Sequence, residues 1–70
     1  MYTAVVDGGT YDASEEARAL NLEGVTATEQ KRQEEALRAF AAAIALAPSW
    51  PAPYNNRAQL YRLLRKEQGK

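Results

Sequence analysis

The sequence predicts an all-α fold: an antiparallel helix hairpin, a third helix, and a short extended arm at the N-terminus. Three observations carry this. No Gly or Pro interrupts residues 25–47. Apolar and small residues recur at helical spacing on both sides of residues 29–32. The run Pro48-Ser49-Trp50-Pro51-Ala52-Pro53 then closes one helix and opens another, because proline breaks a helix interior but suits its first turn.

Residues 1–12, MYTAVVDGGTYD, differ in character from the rest. Tyr2, Thr3, Val5 and Val6 favour extended backbone, and Asp7-Gly8-Gly9 is a turn signal. Only Thr10 and Tyr11 follow, which is too short for a return strand, so an extended arm is expected. Asp7-Gly8-Gly9-Thr10 also resembles the phosphate-binding turn of sugar kinases and actin-like ATPases. That turn needs a β-hairpin, a large domain and a second phosphate loop, and 70 residues do not hold them. An ordinary turn is the better reading.

Asp12 and Ser14 are both suitable N-caps, and Asp12 with Glu15 has capping-box spacing. The first helix is expected at 15–28. Leu20, Gly24 and Ala27 share one stripe of it, whereas Ala36, Leu37, Phe40, Ala43, Ile44 and Ala47 share another. Ala27 and Ala36 lie nine residues apart. On one straight helix that separation would turn the two stripes about half a turn from each other. A single core requires a bend near residues 29–32, giving a second helix at 32–47. The alternative is that Glu29-Gln30-Lys31-Arg32-Gln33, all good helix formers, fuse both helices into one and exchange them between two chains. A third helix is expected at 53–66, opened by Pro53. Leu20, Ala36, Leu37, Phe40, Ala43, Ile44, Tyr54, Ala58 and Tyr61 are the expected core.

Size and composition bound the function. One domain of 70 residues, with 1–12 as arm and 13–70 as helical body, is marginal in stability. With neither Cys nor His, no disulfide, thiol, imidazole or ordinary zinc chemistry is expected, and no metal or other cofactor. No apolar run approaches the ~20 residues of a membrane span, and no signal peptide is visible, so a cytoplasmic location is expected. Net charge is zero, yet residues 1–17 carry Asp7, Asp12, Glu15 and Glu16 without a base. Residues 57–70 carry Arg57, Arg62, Arg65, Lys66 and Lys70 against Glu67. Acids at helix starts and bases at helix ends account for this sorting; head-to-tail attraction between chains is the other reading.

The residues resemble the tetratricopeptide repeat family, whose period is about 34 residues. With a repeat starting at Ala17, Leu20, Gly24, Ala36, Phe40, Ala43 and Pro48 fall where that family places its small, large and terminating residues. Ala27 stands where a Tyr is usual. A second repeat starting at Pro51 puts Tyr54, Ala58 and Tyr61 in the family pattern. The resemblance implies a repeat over 17–50 and a partial one over 51–70. The stretches ALNLEGV, EEALRAFAAAIALAP and PYNNRAQLYRL resemble one branch of the family most. Its members are scaffolds, and binding of an Hsp70-type chaperone is what that resemblance implies. Two departures stand out. Lys31-Arg32 replaces the usual Gly-Asp or Gly-Asn turn, and the pattern ends inside the second repeat where relatives carry about three. A fragment, an engineered piece and a natural minimal version are all open.

Chaperone-binding repeats grip a terminal carboxylate with Lys and Asn side chains. Here Asn21 and Val25 stand in the places of the first Lys and Asn, Asn56 matches the second-repeat Asn, and the third repeat's bases have no counterpart. The candidate partner-binding residues are therefore Asn21, Asn55, Asn56 and Trp50, without a full carboxylate grip. Glu15-Glu16 and Glu34-Glu35 read as solvated helix faces, with Glu34 and Arg38 at favourable spacing, and not as acid–base pairs. Arg57, Arg62, Arg65, Lys66 and Lys70 with Tyr54 and Tyr61 form too short a basic stretch on a neutral chain to predict nucleic-acid binding. Leu60, Leu63 and Leu64 are expected to face outward and drive dimerisation; the competing reading is that the N-terminal arm covers them within one chain through Tyr2, Val5, Val6 and Tyr11. The function expected is a peptide- or protein-binding scaffold without enzymatic activity. The alternative is a structural element that assembles with itself.

Overall fold

Ser14, in extended conformation, opens the first helix: its hydroxyl accepts a hydrogen bond from the Ala17 amide at 3.1 Å. Three helices follow in a computed structural model that describes residues 13–68, with side chains to residue 66. They are α1 (Glu15–Glu29), α2 (Gln33–Leu46) and α3 (Pro51–Gln68). The fold is all-α, and the expected bounds hold to within two residues at each end. Pro51 opens α3, not Pro53, since both prolines fit a first turn where no helical N–H bond is needed. The extended arm expected at 1–12 and its turn lie outside the described residues.

The α1–α2 turn closes within the chain, so the fused, exchanged helix is not the geometry found. The Arg32 amide donates to the Ala27 carbonyl at 2.8 Å and the Lys31 amide to the Thr28 carbonyl at 3.1 Å. This pair of bonds is the Schellman motif, which requires a left-handed residue just past the helix end. Lys31 supplies it, at φ 63°. Its side chain therefore stands where glycine would fit without the steric penalty. We expect Lys31→Gly to raise the urea midpoint, by up to about 1 kcal/mol once glycine's greater unfolded entropy is counted. A lowered midpoint would contradict this account of the turn.

α1 and α2 pack closely because Gly24 lets them. A Cβ on Gly24 would run into the ring of Phe40, which is completely buried. The interior has two apolar clusters. Ala13, Ala17, Ala47, Trp50 and Ala52 form one, and Val25, Ala27, Ala36, Phe40 and Leu60 the other, with Leu37 and Leu64 packed against it.

The expected core is right for α2 and wrong in phase for α3. Ala36, Phe40 and Ala43 are buried, and Leu20, Leu37 and Ile44 half-buried. Tyr54, Ala58 and Tyr61 are exposed instead, and Leu60 retains only 1% of its surface. The buried stripe of α3 includes Ala52, Asn56 and Leu60, spaced four apart like Ala17, Asn21 and Val25 on α1. The repeat period explains the error. Tyr54, Ala58 and Tyr61 lie 34 positions after Leu20, Gly24 and Ala27. In α1 that stripe holds Gly24 against Phe40 of the helix that follows. Its equivalent in α3 therefore points away from the first hairpin.

Candidate interaction surfaces

Three of the four residues expected to meet a partner are interior. Asn21 and Asn56 are fully buried, and the Asn56 amide donates to Asn21 Oδ1 at 2.9 Å, tying α1 to α3. Each sits midway along its stripe, between an alanine of one apolar cluster and a residue of the other. Trp50 is 2% exposed within the first cluster. Of the four, Asn55 alone is exposed. The family positions mapped onto Asn21 and Asn56 thus serve the fold, and Val25 beside them is buried as well.

Burial makes the asparagine pair consequential. A buried polar group that loses its partner bears the desolvation cost of about 1–3 kcal/mol. Asn56→Ala and Asn21→Ala should each destabilise by about that much, and the double variant by clearly less than their sum, since residues in one hydrogen bond are coupled. A double-mutant cycle in urea checks this. Strict additivity would mean that the bond does not join the helices.

Leu60 was expected at an oligomer interface but is spent inside the monomer, packed with Val25, Ala36 and Phe40. Leu63 and Leu64 are half-buried. Among the described residues, the large apolar side chains left exposed are Leu22, Leu46, Tyr54 and Tyr61. Leu22 lines an open depression of about 450 Å³ with Ala19, Glu23, Thr26, Ala27, Gln30, Arg32 and Glu35. Tyr54 and Tyr61, 40% and 52% exposed, flank exposed Ala58 on the outer face of α3. Arg57 spans both rings, its guanidinium carbon 5.8 Å from one centroid and 6.0 Å from the other. The Tyr54 hydroxyl donates to the Pro48 carbonyl at 3.1 Å, fixing that ring over the connector. A second depression, about 490 Å³, continues along α3 between Tyr61, Arg62, Leu64 and Arg65.

Glu15, Glu16, Glu34 and Glu35 are exposed, as expected of solvated faces. At the start of α2 the ion pair is Arg32 with Glu35 at 3.8 Å, between largely exposed side chains. At such exposure it is worth little. Among the described residues no cluster of acids has the spacing of a metal site. No helix among them is long and apolar enough to cross a membrane.

Over 47 residues, 67% of its length, the chain is 47% identical to tetratricopeptide repeat protein 36 of Caenorhabditis elegans. That agreement coincides with a helix hairpin and third helix whose spacing repeats after 34 residues. The chain is tetratricopeptide-repeat-like. The match takes in 26% of the worm protein's length, so the chain corresponds to about a quarter of it. No protein-family profile matches the chain, and no solved structure does. The repeat character also explains the glycine in α1: the small residue at 24 exists to admit Phe40.

What the sequence missed was the inward bond between Asn21 and Asn56 and the outward turn of Tyr54 and Tyr61. The signal for the second was present, because the 34-residue offset carries the α2-facing stripe of α1 onto the outer stripe of α3.

Proposed function

We propose that this chain is a protein–protein interaction module of tetratricopeptide type, a scaffold that binds a peptide or protein partner and does not itself catalyse a reaction. The similarity over 47 residues to a tetratricopeptide repeat protein carries the proposal. The placement of exposed aromatics on a regular helix face supports it. Binding of an Hsp70-type chaperone is a sharper version of the same proposal, and a cytoplasmic location goes with it. Asn55 is the exposed member of the four candidate partner-binding residues.

The test is affinity capture from lysate on the immobilised chain, with an unfolded Phe40→Ala variant as control. A protein held saturably by the folded chain alone supports the module. Recovery of copies of this chain only, with a dimer mass by light scattering, would favour the self-assembling alternative, in which Leu63 and Leu64 line the contact. A chaperone C-terminal peptide titrated against the chain decides the sharper version.

A further inference from the structure

We infer that the α1–α2 turn is a hinge: opening it at Lys31 joins α1 and α2 into one helix and lets two copies of this chain exchange their α2–α3 units. The hairpin is the closed form, and the exchanged dimer is a second form of the same packing. The inference goes beyond the interaction-module reading and stands or falls separately from it.

The turn closes against the preferences of its own residues. Lys31 holds φ 63°, in the left-handed region that favours glycine. Glu29, Gln30, Lys31, Arg32 and Gln33 are all good helix formers, and no Gly or Pro lies within residues 25–47. α1 ends on Glu29 with no base in its last turn, which sets an acid at the negative end of the helix dipole. α2 starts behind two bases, Lys31 and Arg32, at its positive end, and Arg32 gives the amides of its first turn no side-chain cap. A continuous helix removes all of these at once. Lys31 returns to helical backbone, both helix ends disappear, and the first amides of α2 bond to carbonyls four residues back. Short hinges under strain are where exchange between identical chains begins.

What the chain loses on opening, a second copy returns. On one straight helix the stretch from Gly24 to Phe40 spans about 24 Å, so the ring cannot reach the glycine of its own chain and takes that of the other. α3 travels with α2. The Trp50 amide donates to the Ala47 carbonyl at 3.0 Å, the Tyr54 hydroxyl to the Pro48 carbonyl at 3.1 Å, and Leu60 packs with Ala36 and Phe40. The hydrogen bond from Asn56 to Asn21 and the packing of Trp50 with Ala13 and Ala17 then also form between chains. Because α1 meets the same α2–α3 surface in both forms, those contacts cancel. Two relieved turns stand against the lost freedom of one chain, so concentration decides between the forms.

The experiment refolds the full chain from urea at micromolar and at millimolar concentration and measures the products by size-exclusion chromatography with light scattering. A monomer is expected from the dilute sample and a dimer from the concentrated one. Lys31→Gly relieves the closed turn and weakens the fused helix in both chains, so it should weaken the dimer at least about 10-fold. Lys31→Ala keeps the left-handed penalty and the helix propensity, and should leave the dimer within about threefold. A cross-link identifies the geometry. Glu23 of α1 and Glu35 of α2 are exposed and border the same depressions, and the chain has no cysteine. Chains with Glu23→Cys alone and chains with Glu35→Cys alone are refolded together at millimolar concentration and treated with a short bis-maleimide. Peptide mass spectrometry should then show position 23 of one chain joined to position 35 of the other. A chain that refolds only to monomer at millimolar concentration overturns the proposal. So does a dimer that Lys31→Gly leaves unchanged, or one without the 23–35 link, because its copies then meet through outer surfaces with each hairpin closed.

Discussion

Trp50→Ala is expected to leave most of the chain unfolded at room temperature. Trp50 lies between two helices in a connector with Pro51 and Pro53, a position from which an aromatic could reach outward to a partner. It turns inward instead and is 2% exposed, packed with Ala13, Ala17, Ala47 and Ala52. Its four companions are alanines, so the tryptophan supplies nearly all the bulk of that cluster. Its loss costs about 3–5 kcal/mol through lost transfer and the cavity left behind. A single small core without disulfide or metal rarely supplies more than about 3–5 kcal/mol in total. Far-UV circular dichroism against urea reads the outcome, with Trp50→Phe as the milder variant, expected between the two. If Trp50→Ala instead kept the midpoint of the unsubstituted chain while losing a partner, Trp50 would be a surface anchor and the packing described for the connector would be wrong.

Local chemistry made the helices legible, and phase made the core only partly so. Ser14, the unbroken run over 25–47 and the prolines after Ala47 each act within a few residues, so the helix bounds followed from them directly. The α1–α2 bend was legible because the opposed stripes left no other way to one core. The left-handed Lys31 that makes the bend was not, since lysine carries no preference for that conformation. For α3 the apolar residues lie all round. Tyr54, Leu60, Tyr61, Leu63 and Leu64 allow more than one inward face, and the stripe that fits the repeat pattern, Tyr54, Ala58 and Tyr61, is not the one turned inward. The deciding information was nonlocal: a stripe that receives the next helix in one repeat receives the next helix in the following one. Asn21 and Asn56 failed for a related reason. Polar residues on a helix are usually solvated, and only the pairing across 35 residues makes their burial affordable.

Phe40→Ala should destabilise as strongly as the loss of Trp50, by about 3–5 kcal/mol, because the ring is wholly buried and joins α1, α2 and α3 through Val25, Ala36 and Leu60. Gly24 makes this more than a statement about burial. Gly24→Ala gains helix propensity, about 1 kcal/mol, yet sets a methyl into the Phe40 ring at a cost of about 1–3 kcal/mol for an overpacked core. The net effect expected is a loss. Shrinking the ring should remove the clash while leaving the propensity gain. Gly24→Ala is then expected to stabilise a Phe40→Leu background and destabilise the unsubstituted one, a change of sign that no account based on glycine's flexibility alone produces. Urea midpoints of the four proteins in that cycle measure it. Equal effects of Gly24→Ala in both backgrounds would show that the two residues do not meet, and would undo the close α1–α2 crossing on which the tetratricopeptide-like arrangement depends.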